Sequence, residues 1–272
     1  MSSSDARDAV DGAARQAQDS TLFRTLARTG YAVLGILHIL IGLIAITIAT
    51  GGGGSADQGG ALAEVQKSSG GVVLLWIIVA GLFSLGIWQI GEAVLESDSD
   101  AKTKWAHRVK FLSTAITYFA IGATSAVFAS GGQSQSSQST TSFSADLLAQ
   151  PAGVFLLVLV GIGVAAVGVA FVVRGIAQKF TKHLALPAGA ARKSIIALGV
   201  AGYVAKGIAV AVTGILFISA ALTDDAQKAG GLDAALRALA GLPYGPIILW
   251  VVGAGLMLYG VFCIARARYA RM

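Results

Sequence analysis

Six apolar runs decide what this chain can become. Tyr31–Thr50, Val72–Leu95, Phe111–Ala129, Gly153–Val173, Val200–Leu222 and Gly245–Ala265 each come close to the ~20 residues a helix needs to cross bilayer hydrocarbon. No water is present there to satisfy a backbone N–H or C=O, so each run must form a helix, which bonds its own backbone. The composition agrees: 55% of residues are hydrophobic, 12% are charged and the mean hydropathy is +0.74, too apolar for a soluble domain. The expected fold class is an all-α integral membrane protein with six transmembrane helices.

The formal net charge of +6 and the pI near 9.6 raise the question of a nucleic-acid partner, and the positions of the charges answer it. Arg7, Arg15, Arg24 and Arg28 precede the first run, and Lys102, Lys104, Arg108 and Lys110 follow the second. Arg174, Lys179, Lys182, Arg192 and Lys193 lie at or beyond the end of the fourth, and Arg266, Arg268 and Arg271 close the chain. Only Lys67, Lys228 and Arg237 fall on the other side. Sixteen basic residues against three is a positive-inside pattern that puts both termini in the cytoplasm. The surplus is then a topological marker and a contact for anionic lipid headgroups, with no nucleic acid expected. The first run follows a polar segment carrying Asp5, Asp8, Asp11 and Asp19, unlike a cleavable signal peptide, so the whole chain is expected to be retained. Cys263 is the only cysteine, which excludes an internal disulfide and a cysteine-cluster metal site and leaves a small core hydrophobe.

Sliding the chain against itself shows three copies of one hairpin. Gly71, Gly81 and Gly86 recur as Gly153, Gly163 and Gly168, and again as Gly245, Gly255 and Gly260. In the first helices Gly30, Tyr31, Gly35 and Gly42 return as Gly202, Tyr203, Gly207 and Gly214, while the middle copy keeps Gly122 and puts Ala115 at the central glycine. Three tandem two-helix units follow, 27–95, 107–177 and 196–268, with a cytoplasmic segment 1–26, linkers 96–106 and 178–195, and a tail 269–272. Each unit has an even number of spans, so all share one orientation and a pseudo-threefold axis along the membrane normal is the simplest arrangement. The glycines fit helix packing, because contacts in lipid depend on close backbone approach. Gly35 and Gly42, nearly two turns apart, fall on one stripe. A path lined by glycine backbone is the alternative.

The external connections repeat too. Gly51–Gly60 and Gly131–Ser142 lack apolar periodicity and are expected to be flexible. Each connection leads into a short helical piece before the next span: ALAEVQK from Ala61, SADLLAQ from Ser144, and DAALRALAG from Asp233. In the last, Asp233 can cap the start and Gly241 the end, while Leu232, Leu236 and Leu239 form a stripe suited to the outer membrane surface. A weaker surface helix is expected near the N-terminus, with Val10, Ala14, Ala17 and Thr21 along one side.

In the third unit Gly202, Tyr203, Lys206 and Gly207, then Gly231–Leu239 (GLDAALRAL), then Pro243, Tyr244 and Gly245 resemble the three-repeat bacterial membrane proteins catalogued as domain of unknown function twelve-hundred-and-six. The first unit matches in part and the middle one poorly, so the resemblance runs from about Ala27 onward. It implies the six-span triplicated fold and a bacterial cytoplasmic membrane, and brings no catalytic residue, cofactor or substrate.

Polar groups within hydrocarbon are expensive and are functional candidates on that ground. His38 in the first span corresponds to Tyr118 and Val210 in the other units; it is either a neutral histidine hydrogen-bonded to a carbonyl or hydroxyl of a neighbouring helix, or a group that relays protons or binds a ligand. Lys206, near the cytoplasmic boundary, is expected to snorkel to the interface. Glu92, Arg174 and Arg266 occupy equivalent inner-end positions and are expected to form an ion-pair collar with Lys206 or simply to be solvated, with a gate on a narrow path as the alternative. Tyr31, Trp76, Trp88, Trp105, Tyr203, Tyr244 and Trp250 lie near run ends and read as interfacial anchors. No GxxxxGK[ST], HExxH or GxSxG constellation is present, and besides His38 only His107 and His183, in basic loops, could ligate a metal through imidazole, so no enzyme, metal or cofactor is expected. Two functions remain: a structural or interaction subunit, associating with itself or a membrane complex through glycine faces and outer helices, or a conduit for a small solute, proton or lipid between the units.

Overall fold

The computed structural model describes residues 20–96 and 100–270. The expected N-terminal surface helix, apart from Thr21, lies outside the described residues. Among them the chain is all-helical: α1 (Thr21–Ala49), α2 (Gln58–Lys67), α3 (Gly71–Leu95), α4 (Ala101–Ala129), α5 (Ser136–Leu148), α6 (Gly153–Ile176), α7 (Ala190–Thr223), α8 (Gly231–Ala240) and α9 (Gly245–Tyr269). α1, α3, α4, α6, α7 and α9 are long and apolar enough to cross a membrane, which makes this a multi-pass helical membrane protein. Val73, Ile116, Phe155, Ile247 and Val251 point outward, an apolar surface that water would not tolerate and lipid accepts.

The long helices pack mainly between units: α3 on α4, α6 on α7, and α9 back on α1. Glycines set two of these seams. A Cβ at Gly35 would lie 2.5 Å from the Gly260 carbonyl oxygen, and one at Gly42 2.5 Å from that of Gly253. At the equivalent places on the α6–α7 seam, Cβ atoms on Gly207 and Gly214 would lie 2.7 Å and 2.6 Å from the Gly168 and Gly161 oxygens. The α3–α4 seam has Val79 and Ala115 at two of these positions, and its remaining glycines, Gly86 and Gly122, lie against the rings of Phe119 and Phe83, whose centroids are 5.4 Å apart.

Within units, α1 packs on α3 and α7 on α9, but α4 and α6 do not pack as a pair. Gly81 meets Gly30 in the first hairpin and Gly255 meets the Ala205 side chain in the third. Gly163, their counterpart, is therefore a correction to the expected packing set: a Cβ there would meet nothing within 4 Å. On α4 the repeat position of Gly30 and Gly202 is Lys110, a residue that does not permit the close backbone approach a glycine does.

Each short outer helix turns into the following span in the same way. Gly70, Ala152 and Tyr244 adopt left-handed backbone at φ 78°, 65° and 62°. The next residues, Gly71, Gly153 and Gly245, come so close to a carbonyl of the preceding helix that no Cβ fits. The outer segments then lock to one another. Asp57, 2% exposed, accepts from Gly60 N at 2.9 Å and from the Ser137 hydroxyl at 2.7 Å. Asp233 accepts from Ala56 N at 2.7 Å and Arg237 Nε at 2.8 Å, and Gln66 donates to the Phe128 and Gly132 carbonyls. Three expectations change as a result. The polar stretch Gly131–Ser142 is helical from Ser136, because its hydroxyls find fixed partners across the cap. Asp233 sits inside the first turn of α8, whose N-cap is Gly230, and ties two segments together. Leu236 and Leu239 enter the core rather than a membrane surface.

At the opposite end, Asp100 caps α4 by accepting from the hydroxyl and N–H of Thr103 at 2.6 Å and 2.9 Å, and these bonds hold its carboxyl below the ordinary range. The basic connection after α6 folds back beneath the bundle: Phe180 stacks on Tyr203 at 5.3 Å, and Ala185 N donates to Tyr269 O at 2.8 Å.

Candidate functional site

A cavity of about 420 Å³ opens among all six long helices, at the end where α3, α6 and α9 finish. Positions equivalent in the three units build its wall. Tyr31, Phe111 and Tyr203 supply one set of rings from the first halves of α1, α4 and α7. Glu92, Arg174 and Arg266 come from the last turns of α3, α6 and α9. Helix-start and helix-end residues meet because every hairpin runs up and back, bringing those two regions to the same end of the bundle. Lys110 and Lys206 add two ammonium groups, so four cations face one carboxylate. Gln89, Ser113, Thr114, Thr117 and Tyr118 complete the polar lining, with Trp88, Val167, Phe171 and Tyr259 as apolar wall. From Lys110 to Tyr118 the lining descends about 12 Å along α4.

The cations are held mostly by aromatic faces. Lys206 Nζ lies 4.4 Å from the ring centre of Tyr259 and 5.2 Å from that of Phe171. Arg266 stands 4.3 Å over Tyr31 and donates from Nη2 to the tyrosine oxygen at 3.1 Å. The Arg174 guanidinium is 5.7 Å from the Tyr203 ring, and its Nε is buried without a hydrogen-bond partner. Ring quadrupoles partly offset the cost of bringing a cation into a low-dielectric site, yet leave its N–H donors unspent. Such a site suits an anion with several oxygen acceptors, a phosphate or a carboxylate, and a 420 Å³ volume lies within the range of small-molecule sites.

The sequence candidates separate here. Glu92, Arg174, Arg266, Lys206 and Tyr118 come together on one cavity wall. Lys206 does not snorkel outward; the rings of Phe171 and Tyr259 hold it inward. His38 is outside the lining. Its Nδ1 lies 2.7 Å from the Leu34 carbonyl, which can only accept, so Nδ1 carries the proton, and its ring meets that of Tyr259 edge-on at 4.8 Å. Of the expected interfacial anchors, Trp76, Trp105, Tyr244 and Trp250 are exposed, whereas Tyr31, Trp88 and Tyr203 are buried against the cavity. Lys110, Phe111, Phe171 and Tyr259 were not among the sequence candidates. The available signal was their repeat position: Lys110 replaces a repeated glycine, and Phe111 continues the Tyr31–Tyr203 series. Among the described residues no group of three His, Cys, Asp or Glu side chains converges as a metal site would require.

A family model described as Domain of Unknown Function (DUF1206) matches the chain three times, over residues 29–96, 109–178 and 201–270. The chain is also 31% identical, over 257 residues and 92% of each sequence, to the uncharacterized protein YxxB of Bacillus subtilis (strain 168). No solved structure matches. With its three hairpins each covered by the family model and its length shared with that relative, the chain belongs to the Domain of Unknown Function (DUF1206) family.

Proposed function

We propose that this protein resides in a bacterial cytoplasmic membrane with both termini in the cytoplasm, its three hairpins set about a pseudo-threefold axis, and that it binds an anionic ligand in the axial cavity. The observation that carries this reading is the cavity itself: four cations against one carboxylate, with a buried Arg174 Nε that has no partner. Repeat-equivalent residues around one space support the pseudo-axis, and the sequence bias of sixteen basic residues against three supports the orientation. The hydrogen-bonded cap closes the other end, which favours a one-ended site over a conducting pore. The wall hydroxyls of Ser113, Thr114 and Thr117 donate to carbonyls of their own helix, which suits a binding site. The test is thermal unfolding of the purified full chain in micelles, titrated with inorganic phosphate against chloride at equal ionic strength. A ligand that binds only the folded chain raises the midpoint. Phosphate should do so for the wild type and much less for Arg174→Gln; equal midpoints in both salts would remove the reading.

A second reading, that of an interaction subunit meeting a further copy or another membrane protein, has one observation in its favour. The apolar windows of α6 and α4 are the least covered of the six, 17% and 22% buried. Chemical crosslinking in native membranes, followed by sizing, tests it: a single monomeric band argues against it.

A further inference from the structure

We propose that the gap between α4 and α6 is a lateral doorway, and that the ligand is an anionic membrane lipid whose headgroup sits among the cavity cations while an acyl chain lies in the gap. The inference rests on the anion-binding reading above. Three observations lead from a generic anion to a lipid.

The gap is built by sequence and is confined to one unit. The other two hairpins close through glycine contacts, at Gly81 with Gly30 and at Gly255 with Ala205, but in the middle one Gly163 meets nothing and the repeated glycine of the first helix is replaced by Lys110. Its charge is placed where a headgroup would enter, with Lys110 on one side and Arg174 on the other, both on the cavity wall. Its length matches one leaflet. Gly163, Val167 and Arg174 share one face of α6, spaced four and then seven residues apart, and from Arg174 to Gly163 that face runs about 16 Å, half of a ~30 Å hydrocarbon core. A free anion needs only the charged end, and its site would not require a groove of this depth. A partner helix would need the full thickness, yet at the capped end α5 leaves α4 and packs on α6. A lipid of the same leaflet satisfies both the charge and the length.

The experiment uses the full chain, delipidated in micelles, and reads the unfolding midpoint against added dioleoyl phosphatidylglycerol, dioleoyl phosphatidylcholine or glycerol 3-phosphate. Phosphatidylglycerol should act at ~10-fold or more lower concentration than either other probe, since it alone combines the charge with buried methylenes. Arg174→Gln should weaken it ~5-fold, as expected for one basic residue near a lipid surface. Gly163→Trp fills the groove from a position with free space, so it should fold, abolish the phosphatidylglycerol effect and leave that of glycerol 3-phosphate; Gly163→Ala, folding likewise, should leave both. If glycerol 3-phosphate acts as strongly as phosphatidylglycerol, or if Gly163→Trp changes nothing, the doorway is wrong and the anion site stands. If no phosphate-bearing probe acts, both proposals fail. If Val167→Cys in a Cys263→Ala background crosslinks two copies in membranes, a second chain occupies the gap and the lipid proposal is overturned.

Discussion

Lys206 and His38 lie close to the same tyrosine and do opposite things there. The lysine nitrogen is 4.4 Å from the ring centre of Tyr259 and faces the cavity, whereas the histidine meets that ring edge-on and spends its proton on the carbonyl of its own helix. A cation over a ring face retains N–H donors for a ligand, but a histidine with a satisfied Nδ1 and apolar surroundings has little left to offer. The two substitutions should therefore diverge. Lys206→Met preserves the stem and removes the charge, so it should fold and bind phosphate weakly. His38→Phe should lose about 1 kcal/mol of stability with its hydrogen bond and keep binding intact. Phosphate titration of both variants, with unfolding midpoints as the fold control, decides; loss of binding in His38→Phe at an unchanged midpoint would place the histidine in the site. Hydropathy could not foresee this division. It reports how deep a residue lies along a span and not which way around the helix it points, so Tyr31 and Tyr203 read as lipid-interface anchors although both are buried against the cavity. Azimuth was legible only where the repeat made it so, as with Glu92, Arg174 and Arg266.

Between elements, the decisive quantity is how near two backbones come. Gly35 and Gly214 sit where a Cβ would press on a carbonyl of the neighbouring helix, which has no rotamer with which to yield, so Gly35→Val and Gly214→Val should each cost about 1–3 kcal/mol. Gly163→Ala adds its methyl to open space and gains helix propensity, so it should be neutral or stabilising by up to ~1 kcal/mol. Unfolding in denaturing detergent orders the three, and a destabilised Gly163→Ala would mean that the α4–α6 gap is closed. The glycine register was plain in the sequence, but it named no partner helix: a glycine shows only that close approach is permitted, and the fold decides which helix makes it. At Gly163 no residue comes within 4 Å of where a Cβ would lie. The outer segments were misread for a related reason. The Ser- and Gln-rich stretch after Gly131 has weak helix propensity of its own, and its helix depends on partners such as Asp57 and Gly59, more than seventy positions away. Long-range hydrogen bonds leave no local periodicity to read.

For the whole molecule, the two ends differ in kind. One is sealed by carboxylates that accept from other segments, Asp57 from Ser137 and Asp233 from Ala56, and the other opens on a basic, aromatic cavity. Which compartment the cavity serves follows from orientation, and Cys263 makes that measurable because it is buried and gives little background with a hydrophilic thiol reagent. Ser139 is exposed on α5 at the sealed end, and Lys179 is exposed in the connection beyond α6 at the open end. A membrane-impermeant maleimide should label Ser139→Cys in intact cells and reach Lys179→Cys only after permeabilisation. The opposite pattern would put the cavity on the outer face and break the positive-inside reading of the sixteen basic residues. The stakes are mechanistic. If a lipid enters between α4 and α6, the side on which Lys179→Cys is labelled is also the leaflet it comes from, and labelling only after permeabilisation would assign it to the inner leaflet, whose anionic headgroups complement these cations.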